Sequence, residues 1–277
     1  MTANVLVNGG QSVDESLLWD RGLAYGDGVF ETAVAYKGRI AFFERHWQRF
    51  LSGCERLALP LLARSCLEED IARLLVGRDG ERHIIKWMYT RGSGGRGYKP
   101  PPLVTPRRIV MVTPYDSGYY RGLAEAGVHV RYGHGCLARH ARLAGIKHMS
   151  RLEQVLARQE WCDESIYDSL LFDGEGMLVE AVMCNVFLRW CGTWYTPLLH
   201  HCGVKGVMRD VAIALARDMG VVVRQEESMR GRVEESEEMF LTNAVIGIVP
   251  VVRCGDKALS IGETTRLLQG ALAQEFS

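Results

Sequence analysis

The 277-residue chain lacks an excess of charge of either sign: Lys plus Arg total 33 and Asp plus Glu total 33. A nucleic-acid or membrane-surface protein needs a basic surplus, so a zero balance argues against both. Lysine itself is scarce. It occurs only at Lys37, Lys86, Lys99, Lys147, Lys205 and Lys257, and Arg supplies 27 of the 33 basic residues. Any chemistry that needs a lysine amine therefore has six candidates. Long apolar runs are also missing. The longest late one, Phe240 to Val252, is too short to span a bilayer and is broken by Asn243, Gly247 and Pro250. The opening MTANVLVNGG has neither the basic region nor the apolar core of a signal peptide. The eight cysteines contain no CxxC pair, which is expected of reduced, mostly buried thiols in a cytoplasmic protein. His129, His134, Cys136 and His140 lie close in sequence, but their spacing matches no zinc pattern and no metal is expected.

What is present is a globular composition, 47% hydrophobic and 24% charged, on a chain long enough for two domains. Strand signals cover Val5–Val7 and Gly28–Tyr36, and the Lys37-Gly38 turn sends the chain back as a hairpin near Arg39–Phe42. Phe43, Trp47, Phe50, Leu51, Cys54, Leu57 and Ala58 recur at steps of three and four, which predicts an amphipathic helix ended by Pro60. A second helix is expected over Cys66–Val76, and strands over His83–Thr90 and Arg108–Thr113. Residues 115–122 read as a linker. Beyond them, strands at 128–131, 169–172, 182–188, 221–224, 239–242 and 248–252 mix with helices near 150–162, 207–219 and 263–274. The expected fold class is α+β, with mixed α and β in both of two domains. These are a small N-terminal domain over 1–114 and a larger C-terminal domain over 123–277.

Four segments carry possible chemistry. Gly92-Ser-Gly-Gly-Arg-Gly97 matches GxGxxG, but Pro100, Pro101 and Pro102 forbid the helix that a dinucleotide site requires. The same loop gathers Arg91, Arg96 and Lys99 on a glycine scaffold, which suits a carboxylate or phosphate as readily as solvent. Gly203-Val-Lys-Gly206 opens the helix at Val207, a seat for an anion or an ordinary glycine turn. Lys147 lies between Gly145-Ile146 and a predicted helix whose inner face carries Met149, Leu152, Val155 and Leu156. Desolvation there would free its amine as nucleophile or base, although a lone lysine is more often a surface residue. Glu180 is the single charge in an otherwise apolar strand pair. It either faces solvent at an edge or faces a cationic ligand.

Together these segments resemble the class IV pyridoxal-phosphate enzymes, the family of the D-amino-acid and branched-chain aminotransferases. The resemblance runs over nearly the whole chain. It rests on Arg21-Gly-Leu-Ala-Tyr-Gly-Asp-Gly-Val-Phe-Glu31, His46-Trp-Gln-Arg-Phe50, Thr90-Arg-Gly-Ser-Gly-Gly-Arg-Gly-Tyr98, Leu143-Ala-Gly-Ile-Lys-His148, Glu180 through Phe187, and Gly203-Val-Lys-Gly-Val-Met-Arg209. The 91–98 loop and the Leu143–His148 segment look like the carbon–oxygen lyases of the family rather than its transaminases. The resemblance implies a two-domain fold with pyridoxal 5'-phosphate in the cleft between the domains. It implies that Lys147 holds the cofactor covalently and that Glu180 bonds the pyridine nitrogen. Arg49, with the N–H groups of Val207 and Met208, would bind the phosphate, and Val204 would pack on the ring. Asn243 and Ala244 match the other phosphate-side segment, where Ala244 can offer only its N–H. Arg96, with Arg91 and Tyr98, would meet substrate carboxylate. The family also implies a homodimer, with loop 91–106 crossing toward the partner or gating the site. An aminotransferase acting on D-amino or branched-chain acids, and a protein keeping the cofactor for binding alone, are the alternatives.

Overall fold

The computed structural model describes residues 4–10, 15–78, 80–94 and 97–275. The chain divides into two compact units: Met1–Tyr115 with Ile146–Ser150, and Asp116–Gly145 with Arg151–Ser277. Both units mix helices and strands.

The first unit contains β1 (Asn4–Val7), α1 (Arg21–Tyr25), β2 (Gly28–Tyr36), β3 (Arg39–Ile40), α2 (Phe43–Arg56), α3 (Arg64–Leu75), β4 (His83–Thr90) and β5 (Arg107–Pro114). Its strands form an antiparallel sheet in the order β1-β5-β4-β2-β3. Lys37 and Gly38 both take positive φ at the β2–β3 turn, which pairs Tyr36 with Arg39. Helix α2 buries Trp47, Phe50 and Cys54 among Val29, Trp87 and Tyr89 of the sheet and Leu67 and Ile71 of α3. The predicted stripe is thus the core-facing one, and the helix stops at Arg56, before Pro60. Asp20 caps α1 by accepting from Gly22 N at 2.8 Å, and its other oxygen takes Thr90 Oγ1 and Arg107 Nη1, each at 2.8 Å. That buried carboxylate ties the chain ahead of β2 to β4 and β5.

The second unit contains α4 (Ser117–Ala126), β6 (Val128–Leu137), α5 (Leu152–Arg158), β7 (Ile166–Asp173), β8 (Leu178–Ala181), β9 (Asn185–Trp190), β10 (Thr193–Thr196), α6 (Val207–Asp218), β11 (Val223–Gln225), α7 (Arg230–Glu234), β12 (Glu238–Asn243), β13 (Gly247–Cys254), β14 (Lys257–Ala258) and α8 (Glu263–Gln274). The strand order is β11-β10-β9-β12-β13-β6-β7-β8, with β14 on β13. Parallel pairs occur at β10–β11, β13–β6 and β6–β7. Val130, Leu170, Val186, Leu188, Met239, Leu241, Val249 and Val251 fill its main core.

Five expectations need correction. Residues 115–122 are not a linker: Ser117–Ala126 is helix α4, started by the Asp116 side chain accepting from Tyr119 N at 2.9 Å. The Lys147 segment does not group with the residues around it in sequence, because Ile146–Ser150 joins the first unit by pairing with β2. The strand expected over 182–188 begins only at Asn185, with β9; residues 182–184 are the turn that follows β8, in which Ala181 N donates to Cys184 O at 2.7 Å. Helix α5 is shorter than expected, and its apolar stripe is not inward: Leu152 is 75% exposed, Val155 49% and Leu156 64%. Among the described residues no helix is long and apolar enough to cross a membrane. Cys54, Cys184, Cys202 and Cys254 are buried, whereas Cys136, Cys162 and Cys191 are exposed, so burial covers half of the thiols rather than most.

Candidate active site

In the first unit, Lys147 sits on an extended segment lashed to β2. Its carbonyl accepts from Phe30 N at 3.0 Å, and Met149 N donates to Gly28 O at 2.9 Å. Gly28 is sterically required: a Cβ there would meet Tyr89 O at 2.6 Å and Met149 Sδ at 2.8 Å. The segment can therefore lie close enough for both bonds. Lys147 Nζ stands 4.5 Å from the centre of the Phe30 ring, and the side chain is half-buried.

The next residue of β2, Glu31, is 1% exposed and organises the helix behind it. Arg49 donates to it twice, from Nε at 2.7 Å and from Nη2 at 2.5 Å, and His46 Nδ1 lies 2.7 Å from the same carboxylate. Burial alone would raise the Glu31 carboxyl. The charge and hydrogen bonds of Arg49, with His46, outweigh it and hold it down at about 2. Burial holds His46 below its ordinary value against the opposing pull of Glu31, so its ring is neutral near pH 7. Glu31 and His46 were quoted in the sequence motifs but given no role. The available signal was His46-x-x-Arg49, a spacing that puts both side chains on one helix face.

The loop arginines separate. Arg91 is 7% exposed, and its guanidinium is bound to Asp27 through Nε (2.7 Å) and Nη2 (3.0 Å) and to the carbonyls of Ala58 (2.9 Å) and Leu57 (2.7 Å). Its expected place on substrate is corrected: Arg91 is an internal clamp that fastens the end of β4 to the end of α2. Arg21 meets the same Asp27 at 2.9 Å. Burial would raise the Asp27 carboxyl, but the two arginines hold it below the usual range. Arg21 also donates to the carbonyls of Gly97 and Tyr98 at 2.9 and 2.8 Å, which pins the loop's backbone and leaves the Tyr98 ring 85% exposed against Tyr25. Arg96 lies outside the described residues.

In the second unit, Glu180 is 5% exposed on β8. Val204 N donates to its Oε2 at 2.8 Å, and Gln154 Nε2 lies 3.5 Å from Oε1. Asn185 Nδ2 donates to Val204 O at 2.8 Å, so both backbone polar groups of Val204 are held. Gly145 N donates to Gly203 O at 2.8 Å and Lys205 N to Gly145 O at 3.1 Å. A Cβ at Gly206 would fall 2.0 Å from Asn185 Oδ1, which explains the second glycine of the loop. Helix α6 then begins without a side-chain cap, and Val207 and Met208 in its first turn are 3% and 1% exposed. First-turn N–H groups have no helical carbonyl to take them and carry the positive end of the dipole, the setting in which a helix start can take an anion.

The remaining phosphate-side pair, Asn243 and Ala244, stands at the turn that follows β12. The Asn243 amide closes its own turn: Oδ1 accepts from Val245 N and Ile246 N at 2.9 Å each, while Nδ2 lies 3.3 Å from Cys184 Sγ. Asn243 is therefore a turn-former beside Ala244, and its Nδ2 also donates to Met183 O at 3.4 Å. The histidines singled out at 129–140 also give way to another group. His200, His201 and Glu227 bring their ligand-type atoms within 4.8 Å of one another, with Arg139 Nη2 3.6 Å from the Glu227 carboxylate.

The first unit thus supplies a lysine amine against an aromatic ring and an arginine paired with the buried Glu31, and the second supplies a buried carboxylate and an uncapped helix start. The comparisons with known proteins give the family. The model of the class IV amino-transferase family matches residues 28–254, and the chain belongs to that family. It is 30% identical over 261 residues to an aminodeoxychorismate lyase of Vibrio harveyi, covering 92% of this chain and 94% of that one. The crystal structure of 4-amino-4-deoxychorismate lyase from Pseudomonas aeruginosa superposes with a TM-score of 0.90 at 37% identity, covering 98% of both chains. A branched-chain aminotransferase from Escherichia coli shares the fold, with a TM-score of 0.84 at 20% identity, over 99% of this chain and 94% of that one.

Proposed function

We propose that this chain is a pyridoxal-phosphate-dependent carbon–oxygen lyase that converts 4-amino-4-deoxychorismate to 4-aminobenzoate and pyruvate, a step of folate synthesis. The observation that carries the reading is the 37% identity and 0.90 TM-score to a lyase over 98% of both chains, against 20% identity to an aminotransferase of the same fold.

When bound, the cofactor supplies an electron sink for the charge left on the amine-bearing carbon. Lys147 has two tasks. It would hold the cofactor covalently, and its amine, when free, would take the proton from the amine-bearing ring carbon of the substrate. The half-buried setting against Phe30 limits the water around that amine. Glu180 keeps the pyridine nitrogen protonated, and the Val204 N–H holds the carboxylate in place for it. By the family resemblance the phosphate would be the ligand of Arg49, which Glu31 orients, and of the N–H groups of Val207, Met208 and Ala244. As the ring proton leaves, the ether bond breaks, enolpyruvate departs and the substrate ring becomes aromatic. That product stability drives the step, so the residues chiefly lower the barrier to proton removal. Arg96 is the residue proposed for substrate carboxylate. The cytoplasm is the proposed compartment and a homodimer the proposed assembly, supported by the exposed apolar face of α5.

The test is direct. Purified protein incubated with aminodeoxychorismate should release 4-aminobenzoate, while a transaminase assay with D-alanine and 2-oxoglutarate should run far more slowly. The reverse ranking would make the chain an aminotransferase. Lys147→Ala should abolish both turnover and the visible absorbance of the lysine-bound cofactor, whereas Lys205→Ala, at an exposed position, should keep most of that absorbance. Absorbance retained in the Lys147 variant would remove Lys147 from its role.

A further inference from the structure

Asp168 lies in the middle of the second unit and is 0% exposed. Beyond the buried Ser169, β7 continues into the apolar core residues Leu170 and Leu171. A carboxylate at such a depth is costly unless donors surround it. Here they do. Oδ1 accepts from Ser169 N at 2.8 Å and Val182 N at 2.9 Å, Oδ2 accepts from Met183 N at 3.2 Å, and the Cys184 thiol bonds to the same carboxylate. Burial pushes its pKa up to about 6 while the N–H donors and Cys184 pull the other way, so the anion persists at neutral pH.

Where those donors lie is the informative part. Val182, Met183 and Cys184 are the turn between β8 and β9, and Glu180 stands immediately before it, two residues ahead of the first bonded N–H. Cys184 Sγ in turn lies 3.3 Å from Asn243 Nδ2, and Asn243 Oδ1 holds the N–H groups of Val245 and Ile246. One continuous hydrogen-bonded run therefore goes from Asp168 through Cys184 and Asn243 to the turn that contains Ala244. The run joins two short turns that are separated by about sixty residues in sequence, and each carries one proposed cofactor contact. Glu180 serves the pyridine nitrogen and Ala244 N–H serves the phosphate.

We infer that Asp168 is a positioning residue of the cofactor site, setting through Cys184 and Asn243 where the Glu180 carboxylate and the Ala244 N–H stand. The inference rests on the pyridoxal-phosphate reading above. It gives Asp168 and Cys184 a functional task that neither has as a core filler, and it explains why the Asn243 amide points into its turn. An apolar residue at 168 would fill the space but take the acceptor from Met183 N–H and leave Val182 N–H with Ser169 O at 3.2 Å.

The experiment uses the full-length apo protein and two readouts other than turnover: the dissociation constant for pyridoxal 5'-phosphate, and amide hydrogen exchange in residues 181–184 and 243–246. Asp168→Asn puts an amide N–H where a lone pair is needed. It should weaken cofactor binding by about 10- to 100-fold, the range that loss of an outer hydrogen-bonding partner costs at metal sites, and speed exchange in both turns together. Cys184→Ala should weaken binding by a smaller factor. Cys184→Ser, whose hydroxyl can still donate to Asp168 and accept from Asn243, should stay close to the unaltered protein. Faster exchange in Asp168→Asn with an unchanged dissociation constant would reduce Asp168 to a structural role and overturn the inference. Equal binding by Cys184→Ala and Cys184→Ser would overturn it as well, and that pair decides the matter if Asp168→Asn does not fold. Unaltered protein that takes up no cofactor overturns the function reading and this inference with it. Normal uptake with unaffected variants overturns this inference alone.

Discussion

Helices α2 and α5 carry the same kind of apolar stripe and meet opposite fates. In α2, Trp47, Phe50 and Cys54 are 6%, 1% and 0% exposed, enclosed by the first unit's sheet and α3. In α5, Leu152, Val155 and Leu156 are between 49% and 75% exposed, and Ala157 is the buried residue of the helix. Periodicity announces that a helix has an apolar face. It does not say whether the covering surface belongs to the same chain. Large exposed apolar residues on one short helix suit an interface, which is why α5 supports the proposed homodimer. The polar residues differ too. The partly polar edge of α2 holds His46 and Arg49 against the buried Glu31, so the helix is fixed by charge as well as by packing.

Three measurements would break or sharpen the contrast. The largest effect should come from Phe50→Ala. Emptying a fully buried aromatic site costs about 3–5 kcal/mol, and denaturant unfolding of the whole chain should show it. A loss under about 1 kcal/mol would mean that α2 does not anchor the first unit.

Acid should come next. The Glu31 carboxyl is held down at about 2 from an ordinary 4.5. A depressed carboxylate contributes stability that is fully present above its unfolded value and is lost as pH falls through its folded value. The loss should therefore run from about pH 4.5 down to about pH 2 and amount to about 3 kcal/mol. His46 adds in the same direction. Its folded value is lowered, so the unfolded chain takes up the proton first and stability already begins to fall as pH drops below about 6.5. Glu31→Gln should flatten the lower part of the curve, and an unchanged curve would remove Glu31 from the account.

The smallest effect on the chain itself should come from α5. Leu152→Glu together with Leu156→Glu should change the stability of the isolated chain by less than about 1 kcal/mol, because exposed positions contribute little. The same pair should convert a dimer to a monomer by light scattering. A monomeric unaltered protein, or a dimer untouched by the pair, would leave the α5 face without its proposed partner.

Much of the first unit was legible from the chain. The α2 stripe, the Lys37-Gly38 turn and the refusal of a dinucleotide helix at Pro100–Pro102 all depend on residues within one or two turns of each other. The family was legible for a related reason, since its motifs are short contiguous segments. The errors have a common cause. Tyr115–Gly122 looks like a linker by its glycines and tyrosines, yet Asp116 supplies a helix start. Arg91 looks like a substrate arginine by its loop, yet its carboxylate partner is Asp27, 64 residues away. Nothing near Asp168 in sequence marks it, because two of the three N–H groups that bond its carboxylate come from the turn at 182–183.

The sequence by itself determined the local propensities: which segment would be an amphipathic helix, which turn would reverse a strand, where proline would stop a helix, and which lysine sits in the family's motif. Tertiary structure alone decided the partners. It placed Ile146–Ser150 on β2 in the first unit, although that segment lies between stretches of the second. It gave Arg49 to Glu31, Arg91 to Asp27 and Val204 N to Glu180. Helix and turn signals act over a few residues, whereas charge pairing and strand register depend on which distant backbone arrives alongside, and that is a property of the folded chain.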